Sequence, residues 1–73
     1  METRDMVRMV NQMADFFKSY SEQEAVEGIA DHLTKFWDPG LRREFFAHVD
    51  KGGDGFNSLV IQAAALMKRP QQV

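Results

Sequence analysis

The sequence predicts an all-α protein, a small bundle of about four short helices forming a single domain over residues 1–73. Three observations predict this fold class. Apolar residues recur at three- and four-residue intervals, which is the period of an amphipathic helix. Serine, aspartate and asparagine precede these stretches, as helix N-caps do. Most glycines and prolines fall between the stretches, where they mark corners and loops.

The first helix is predicted from Thr3 or Arg4 to Lys18. Thr3 is the expected N-cap, and Asp5 lies in the first turn, where an acidic residue is favoured. The methionines of this helix could fill gaps in a small core or contact a partner protein, because the flexible thioether suits both roles. The predicted apolar side comprises Met6, Met9, Val10, Met13, Phe16, Phe17 and Tyr20.

The second helix is predicted from a capping box at Ser21-x-x-Glu24 to Trp37. In such a box each side chain accepts a hydrogen bond from a free backbone N–H at the helix start. Gly28 lies in mid-helix, where glycine costs roughly 1 kcal/mol relative to alanine. Either a close approach of another helix or an exposed position would explain it. The predicted inward side chains are Val26, Ile29, Ala30, Leu33 and Phe36.

The third helix is predicted to begin at the corner that ends the second. Pro39 lacks an N–H and disfavours the α conformation at Asp38, which stops the preceding helix. Aspartate at the N-cap followed by proline at the first helical position is also a frequent helix start. The helix is expected to reach Val49, with an ion pair between Asp38 and Arg42. Its predicted apolar side comprises Leu41, Phe45, Phe46 and Val49.

Residues 50–55, DKGGDG, predict a loop before the fourth helix. The loop resembles the start of a calcium-binding EF-hand, but Ile61 occupies the position where the bidentate glutamate is required. We therefore expect a flexible glycine loop. Asn57 is the predicted N-cap of the fourth helix, Pro70 ends it, and residues 71–73 are expected to fray. The predicted apolar side comprises Leu59, Val60, Ala63, Ala64, Leu66 and Met67.

Composition argues against several classes of protein. The chain has no cysteine, which excludes disulfides and thiolate metal sites and fits a reducing compartment. No apolar run approaches the ~18 residues of a membrane span, and the first residues lack the apolar core of a signal peptide. We therefore expect a cytoplasmic protein that does not enter a membrane. The net charge of −2, without a stripe of basic residues, argues against a nucleic-acid partner.

No catalytic, cofactor-binding or metal site is predicted. His32 and His48 are sixteen residues apart and have no further ligand at metal-binding spacing. The serines stand at caps and loops rather than beside a base, and no glycine-rich phosphate-binding motif is present. Arg42 and Arg43 could belong to a DNA recognition helix, but two arginines without a wider basic field favour a solvated helix face.

The predicted functional surface is a protein–protein interface around the corner. A chain of this length buries only about 60% of its unfolded surface, and the corner holds more aromatic residues than so small a core readily encloses. Trp37 could belong to the core or to the interface. Tryptophan and arginine are enriched at interface hot spots, which favours a contact role. The predicted interface residues are Met9, Met13, Phe36, Trp37, Pro39, Leu41, Arg42 and Phe45.

Three stretches of the sequence together resemble the delta subunit of NAD-dependent formate dehydrogenases. They are MVRMVNQMADFF at 6–17, GIADHLTKFWDP at 28–39 with Glu24-Ala25-Val26 before it, and FFAHVDKGGDGF at 45–56. The resemblance covers roughly Met6 to Ala65, and IADHLxKFWDP is its most specific part. One departure follows Pro39, where a basic residue and methionine are expected and this chain has Gly40 and Leu41.

The resemblance implies a small accessory subunit of a cytoplasmic complex that contains molybdenum or tungsten, oxidises formate to CO2 and reduces NAD. The implied partner is the large subunit with the molybdopterin and iron–sulfur clusters. Other subunits would carry flavin mononucleotide and NAD, so this chain would carry no cofactor. Its implied role is to support assembly, stability or cofactor maturation. The alternatives are a transient assembly chaperone that leaves the active complex and a small helical DNA-binding protein. The isolated chain could also self-associate.

Overall fold

The computed structural model describes residues 2–69, and these residues form four helices. The helices are α1 (Thr3–Phe16), α2 (Glu22–Phe36), α3 (Pro39–Asp50) and α4 (Ser58–Leu66). No strand occurs between residues 2 and 69, so the predicted all-α fold is confirmed. The predicted ends differ most at α4: Pro70 does not end the helix, because α4 already stops at Leu66 and Met67 is extended. α1 stops two residues before Lys18. The predicted fraying of 71–73 lies outside the described residues.

The start of α2 is capped by Ser21, as predicted. The Ser21 hydroxyl oxygen accepts a hydrogen bond from the Glu24 N–H at 3.2 Å. The expected reciprocal bond is replaced, because the Glu24 carboxylate accepts from the Ser21 hydroxyl at 2.8 Å instead of from the Ser21 backbone. At α1 the predicted cap is wrong: Thr3 already belongs to the helix, and Glu2 precedes it without a side-chain cap.

The starts of α3 and α4 are capped as predicted. Asp38 Oδ1 accepts from the Leu41 N–H at 2.8 Å, and Pro39 occupies the first helical position. Asn57 Oδ1 accepts from the Leu59 N–H at 2.8 Å. Each cap satisfies a backbone donor that has no partner within the helix. Both helices therefore begin at residues whose side chains define the start locally.

A single apolar core holds the four helices together. The most extensive helix pairing joins α2 to α4, while α1 contacts the other three helices and α3 contacts α1 and α4. Both of these helices contribute small buried residues, such as Ala30 on α2 and Ala63 on α4, which favour a close approach. The buried core residues are Met6, Val10, Ala14, Val26, Ile29, Ala30, Leu33, Phe45, Phe46, Val60, Ala63, Ala64 and Met67.

Several side chains that were predicted to face inward are exposed. Phe16 is 72% exposed, Phe36 74%, Leu66 59% and Tyr20 50%. The three helical ones are the last residues of α1, α2 and α4, and Tyr20 lies in the turn after α1. The apolar period continues to each helix end, but the neighbouring helices do not cover the last residue, although Ala14, Leu33 and Ala64 in the same turns are buried. The helical period is thus correct there and the inferred burial is wrong.

The loop between α3 and α4 is fixed by hydrogen bonds to α1 and α3, which corrects the expectation of a flexible loop. Asn11 Nδ2 donates to the Gly55 carbonyl at 2.8 Å, and Asn11 Oδ1 accepts from the Asn57 N–H at 2.9 Å. His48 Nε2 donates to the Asp54 carbonyl at 2.7 Å. The three glycines of the loop have φ values of 113°, 66° and 85°, a region that L side chains rarely adopt.

Gly28 is explained by a close approach, which was one of its two predicted explanations. A Cβ atom on Gly28 would lie 2.5 Å from Phe17 Cε1 and 2.9 Å from Phe17 Cζ. Phe17 follows α1 directly and is partly buried against the core. The contact is therefore made by an aromatic ring at the end of α1, and glycine leaves the space for it.

An ion pair fixes the segment after α4. Arg69 donates from two nitrogens to the Asp50 carboxylate, at 2.7 Å and 3.0 Å, and its guanidinium lies 4.7 Å from the centre of the Phe46 ring. These hydrogen bonds lower the pKa of Asp50 below its usual value of 3.8. No local pattern in the sequence predicts this pairing, since the two residues are nineteen positions apart.

Candidate partner-binding surface

Trp37 connects the α2–α3 corner to the core. Trp37 is the C-cap of α2, and its backbone N–H donates to the Leu33 carbonyl at 3.2 Å. Its ring meets Phe45 edge to face with centroids 6.1 Å apart. Trp37 is partly buried, so the core and interface interpretations each describe one part of the side chain.

Phe36 projects from the corner into solvent. Its side chain is 74% exposed, and the His32 ring lies against it with centroids 4.9 Å apart. Pro39 is exposed as well, and Leu41 is partly buried against the core. An exposed leucine or phenylalanine alone is unremarkable, but several large apolar side chains together at one site indicate an interaction surface.

Arg42 lies in the first turns of α3, and its charge has no carboxylate partner within residues 2–69. The expected ion pair with Asp38 does not form, because the Asp38 carboxylate caps the helix by accepting from Leu41. Arg42 Nε is buried and makes no hydrogen bond to any described residue. The guanidinium is only partly buried. A positively charged donor group therefore lies next to the apolar corner.

Five of the eight predicted interface residues lie within seven consecutive positions at the junction of α2 and α3, and each is at least partly exposed. We call this set the corner surface: Phe36, Trp37, Pro39, Leu41 and Arg42. Phe45 does not belong to it, because it is 0% exposed and packs between Trp37 and other core rings. Met9 and Met13 lie on α1, both partly buried, and Met13 packs against the core.

The comparison with protein families identifies the kind of protein. The family model described as NADH-dependent formate dehydrogenase delta subunit FdsD matches residues 5–64. The matched region contains the whole corner surface and most of the four helices. The chain belongs to this delta-subunit family. This confirms the resemblance noted in the sequence. In the comparisons with curated proteins and with solved structures, no match was found.

Membership of the delta-subunit family implies a protein partner. The family is named as a subunit of a formate dehydrogenase, and a subunit functions within a complex. A small accessory subunit with a partly exposed apolar surface is consistent with that membership.

Metal-binding groups and membrane-spanning helices are both absent from the described residues of this delta subunit. Within residues 2–69, no group of three or more His, Cys, Asp or Glu side chains is arranged to hold a metal ion. None of the helices in that range combines the length and apolar character required to cross a membrane. Four of the nine basic side chains are paired with carboxylates, and the net charge of −2 disfavours binding to phosphates. These pairs are Arg4–Glu2, Arg8–Asp5, Lys35–Asp31 and Arg69–Asp50.

Phe16 is an exposed apolar side chain that is not among the interface residues predicted from the sequence. It is 72% exposed, almost as much as Phe36, and meets Phe17 edge to face at 5.5 Å. Phe16 is the last residue of α1. Its position at a helix end is the signal that could have indicated its exposure. It lies on a different helix from the corner surface, which makes it a matched reference for Phe36.

Proposed function

We propose that this delta subunit is a non-catalytic accessory subunit that binds the large, cofactor-bearing subunit of formate dehydrogenase through the corner surface. In this proposal the binding supports assembly, stability or cofactor maturation, and the cofactors reside on the partner subunits. The observation that carries the proposal is the 74% exposure of Phe36 beside a tryptophan and an arginine with no carboxylate partner among the described residues.

The exposed area of Phe36 is large enough to matter for binding. A buried aromatic side chain covers roughly 150–250 Å2, so about three-quarters of the lower figure remains uncovered here. At about 25 cal/mol per Å2, covering it would contribute roughly 3 kcal/mol before the costs of association. Such a contribution corresponds to about a hundredfold in affinity.

The backbone of the corner surface is fixed before any partner arrives. Asp38 caps α3, Pro39 fixes φ at the first helical position, and Trp37 packs against the buried Phe45. A surface that is already ordered loses little conformational freedom when it binds. This favours a contact in which the partner adapts to a preformed apolar corner.

Arg42 adds a requirement on the partner. A guanidinium next to an apolar contact is best matched by a carboxylate or a backbone carbonyl, which accept charge-assisted hydrogen bonds. We therefore expect an acidic or carbonyl-rich rim around an apolar depression on the large subunit. Such a pairing would fix the orientation of the delta subunit more than it would add affinity.

The test is co-purification of the tagged delta subunit with the other subunits of its formate dehydrogenase, comparing Phe36→Ala with Phe16→Ala. Both side chains are more than 70% exposed, so neither substitution should lower the free energy of unfolding of the isolated chain appreciably. Phe36→Ala is expected to weaken binding of the large subunit about 10- to 100-fold, and Phe16→Ala to leave it within about twofold. Phe36 is a cleaner choice than Trp37, whose removal would also disturb the core.

Two results would contradict the proposal. One is equal retention of the large subunit by wild type and Phe36→Ala, whatever the retention by Phe16→Ala. The other is a strain that lacks the delta subunit yet yields fully loaded, fully active and equally stable enzyme. Recovery of the chain with the immature large subunit, but never with the pure active complex, would identify a transient assembly chaperone instead.

A further inference from the structure

A groove lies at the opposite end of α2 from the corner surface, between the start of α2 and the end of α4. Its volume is about 300 Å3, and we call it the α2–α4 groove. It is separated from Phe36 by the length of α2, roughly 20 Å at 1.5 Å per residue. Its lining residues are Glu22, Gln23, Val26, Glu27, Gln62 and Leu66.

The α2–α4 groove combines an apolar floor with an exposed apolar edge. Val26 is buried and belongs to the core, so it forms a firm base. Leu66 is 59% exposed at the last position of α4. A single large apolar side chain inserted between them would cover surface that the four helices leave open.

The two charged residues that line this groove, Glu22 and Glu27, are both acidic. Residues 20–31 include four acidic residues and no lysine or arginine. Glu22, Glu24 and Glu27 take part in none of the ion pairs formed within residues 2–69. Glu27 accepts only from the neutral Gln23 amide, at 3.1 Å.

The two helix ends at the groove do not add to this negative charge. The C-terminus of α4 carries a partial negative charge and the N-terminus of α2 a partial positive charge, so the two dipoles oppose each other there. Lys68 follows α4 but does not line the groove. The carboxylates of Glu22 and Glu27 therefore supply the negative charge at this apolar depression.

We propose that the α2–α4 groove binds a segment of a partner protein that carries lysine or arginine on both sides of one large apolar side chain. The proposal rests on the proposed role as a subunit and assigns that role a second contact, separate from the corner surface. A second copy of this chain is disfavoured as the occupant. Its basic corner has Arg42 and Arg43 after Leu41, but the five residues before Leu41 contain no lysine or arginine, so the corner does not carry basic residues on both sides of that side chain.

The test is an NMR titration of the ¹⁵N-labelled full chain with synthetic twelve-residue peptides at low salt. The first peptide has one central leucine flanked on both sides by lysines; a second has glutamate for every lysine, and a third has serine for leucine. The first peptide is expected to shift amides in residues 22–27 and 62–66 and to leave residues 36–42 unchanged. The second should not bind, and the third should bind at least several-fold more weakly.

Matched variants distinguish binding at the groove from a general effect of the negative charge of the protein. The double variant Glu22→Gln/Glu27→Gln keeps the Ser21 cap and should weaken the lysine peptide about tenfold. Glu44→Gln removes one exposed carboxylate from α3, away from the groove, and should change affinity by less than about twofold. Far-UV circular dichroism of each variant checks that the fold is retained.

Several outcomes would overturn the proposal. They are no shifts at the groove, shifts confined to residues 36–42, equal binding of the glutamate peptide, or equal losses for Glu44→Gln and the double variant. Sedimentation showing oligomers that the double variant abolishes would assign the groove to self-association instead. Phe36→Ala should leave peptide binding unchanged. Failure of the groove is thus distinguishable from failure of the corner surface, which is measured by retention of the large subunit.

Discussion

Replacing Gly28 with alanine tests the packing between the end of α1 and the middle of α2. In an open helix position this substitution stabilises a protein by about 1 kcal/mol, because alanine restricts the unfolded chain and favours the helix. Here the new Cβ would lie 2.5 Å from Phe17 Cε1 and within 3.0 Å of two further ring atoms. The ring must move for the methyl group to fit.

Moving the Phe17 ring would weaken the contacts that it makes now. It meets Phe16 at a centroid distance of 5.5 Å and Tyr20 at 5.5 Å, and it packs against the core. Overpacking of this kind typically costs about 1–3 kcal/mol. After the gain in helix propensity, Gly28→Ala should lower the free energy of unfolding by roughly 1 kcal/mol, or about 4–8 °C in Tm for a chain this small.

The sign of the effect should reverse when the ring is removed. In a Phe17→Ala background, Gly28→Ala should raise the free energy of unfolding by about 1 kcal/mol, since only the helix propensity remains. Urea unfolding followed by circular dichroism at 222 nm measures all four members of this cycle. If Gly28→Ala stabilises the wild-type chain as much as it stabilises Phe17→Ala, the described contact is wrong.

Two further predictions concern long-range contacts. Asn11→Ala should lower the free energy of unfolding by about 1–3 kcal/mol, because it leaves the partly buried Asn57 N–H without its acceptor. Urea unfolding measures this difference. A free energy of unfolding equal to that of wild type would contradict the hydrogen bonds from Asn11 to the loop. Asp50→Asn should destabilise the chain at pH 7. Because Arg69 lowers the pKa of Asp50, that carboxylate stabilises the fold above its unfolded pKa, and the contribution is lost as pH falls through the lower folded value. Unfolding at pH 7 and pH 3 should therefore show a shrinking difference from wild type, and a constant difference would refute the linkage.

Helix starts could be predicted from the sequence because their causes are local. Ser21, Asp38 and Asn57 each cap a helix through an atom two or three residues away, so the residue type and its position carry the information. The corner surface could be predicted for the same reason. Phe36 to Arg42 are neighbours in the chain, and Pro39 fixes the turn between them.

Burial could not be predicted from the period alone. Phe36 and Phe45 both continue an apolar stripe, yet one is 74% exposed and the other fully buried. The difference depends on which helix lies opposite each position, and no local pattern encodes that. The Asn11 bridge is also invisible in the sequence, since it joins residues 44 and 46 positions apart and asparagine in mid-helix has no distinctive local signature.

The exposure of Phe36 follows from the same residues that build the corner. Pro39 forces α2 to end, and Phe36 is then the last residue of the helix and 74% exposed, while Trp37 packs against Phe45. Phe16 is exposed at the end of α1 without a proline corner or an arginine with no carboxylate partner beside it. If exposure alone attracted the partner, the two phenylalanines would be equivalent in binding. A loss confined to Phe36→Ala would show that the fixed backbone and the neighbouring charge, rather than exposed apolar area by itself, define the contact.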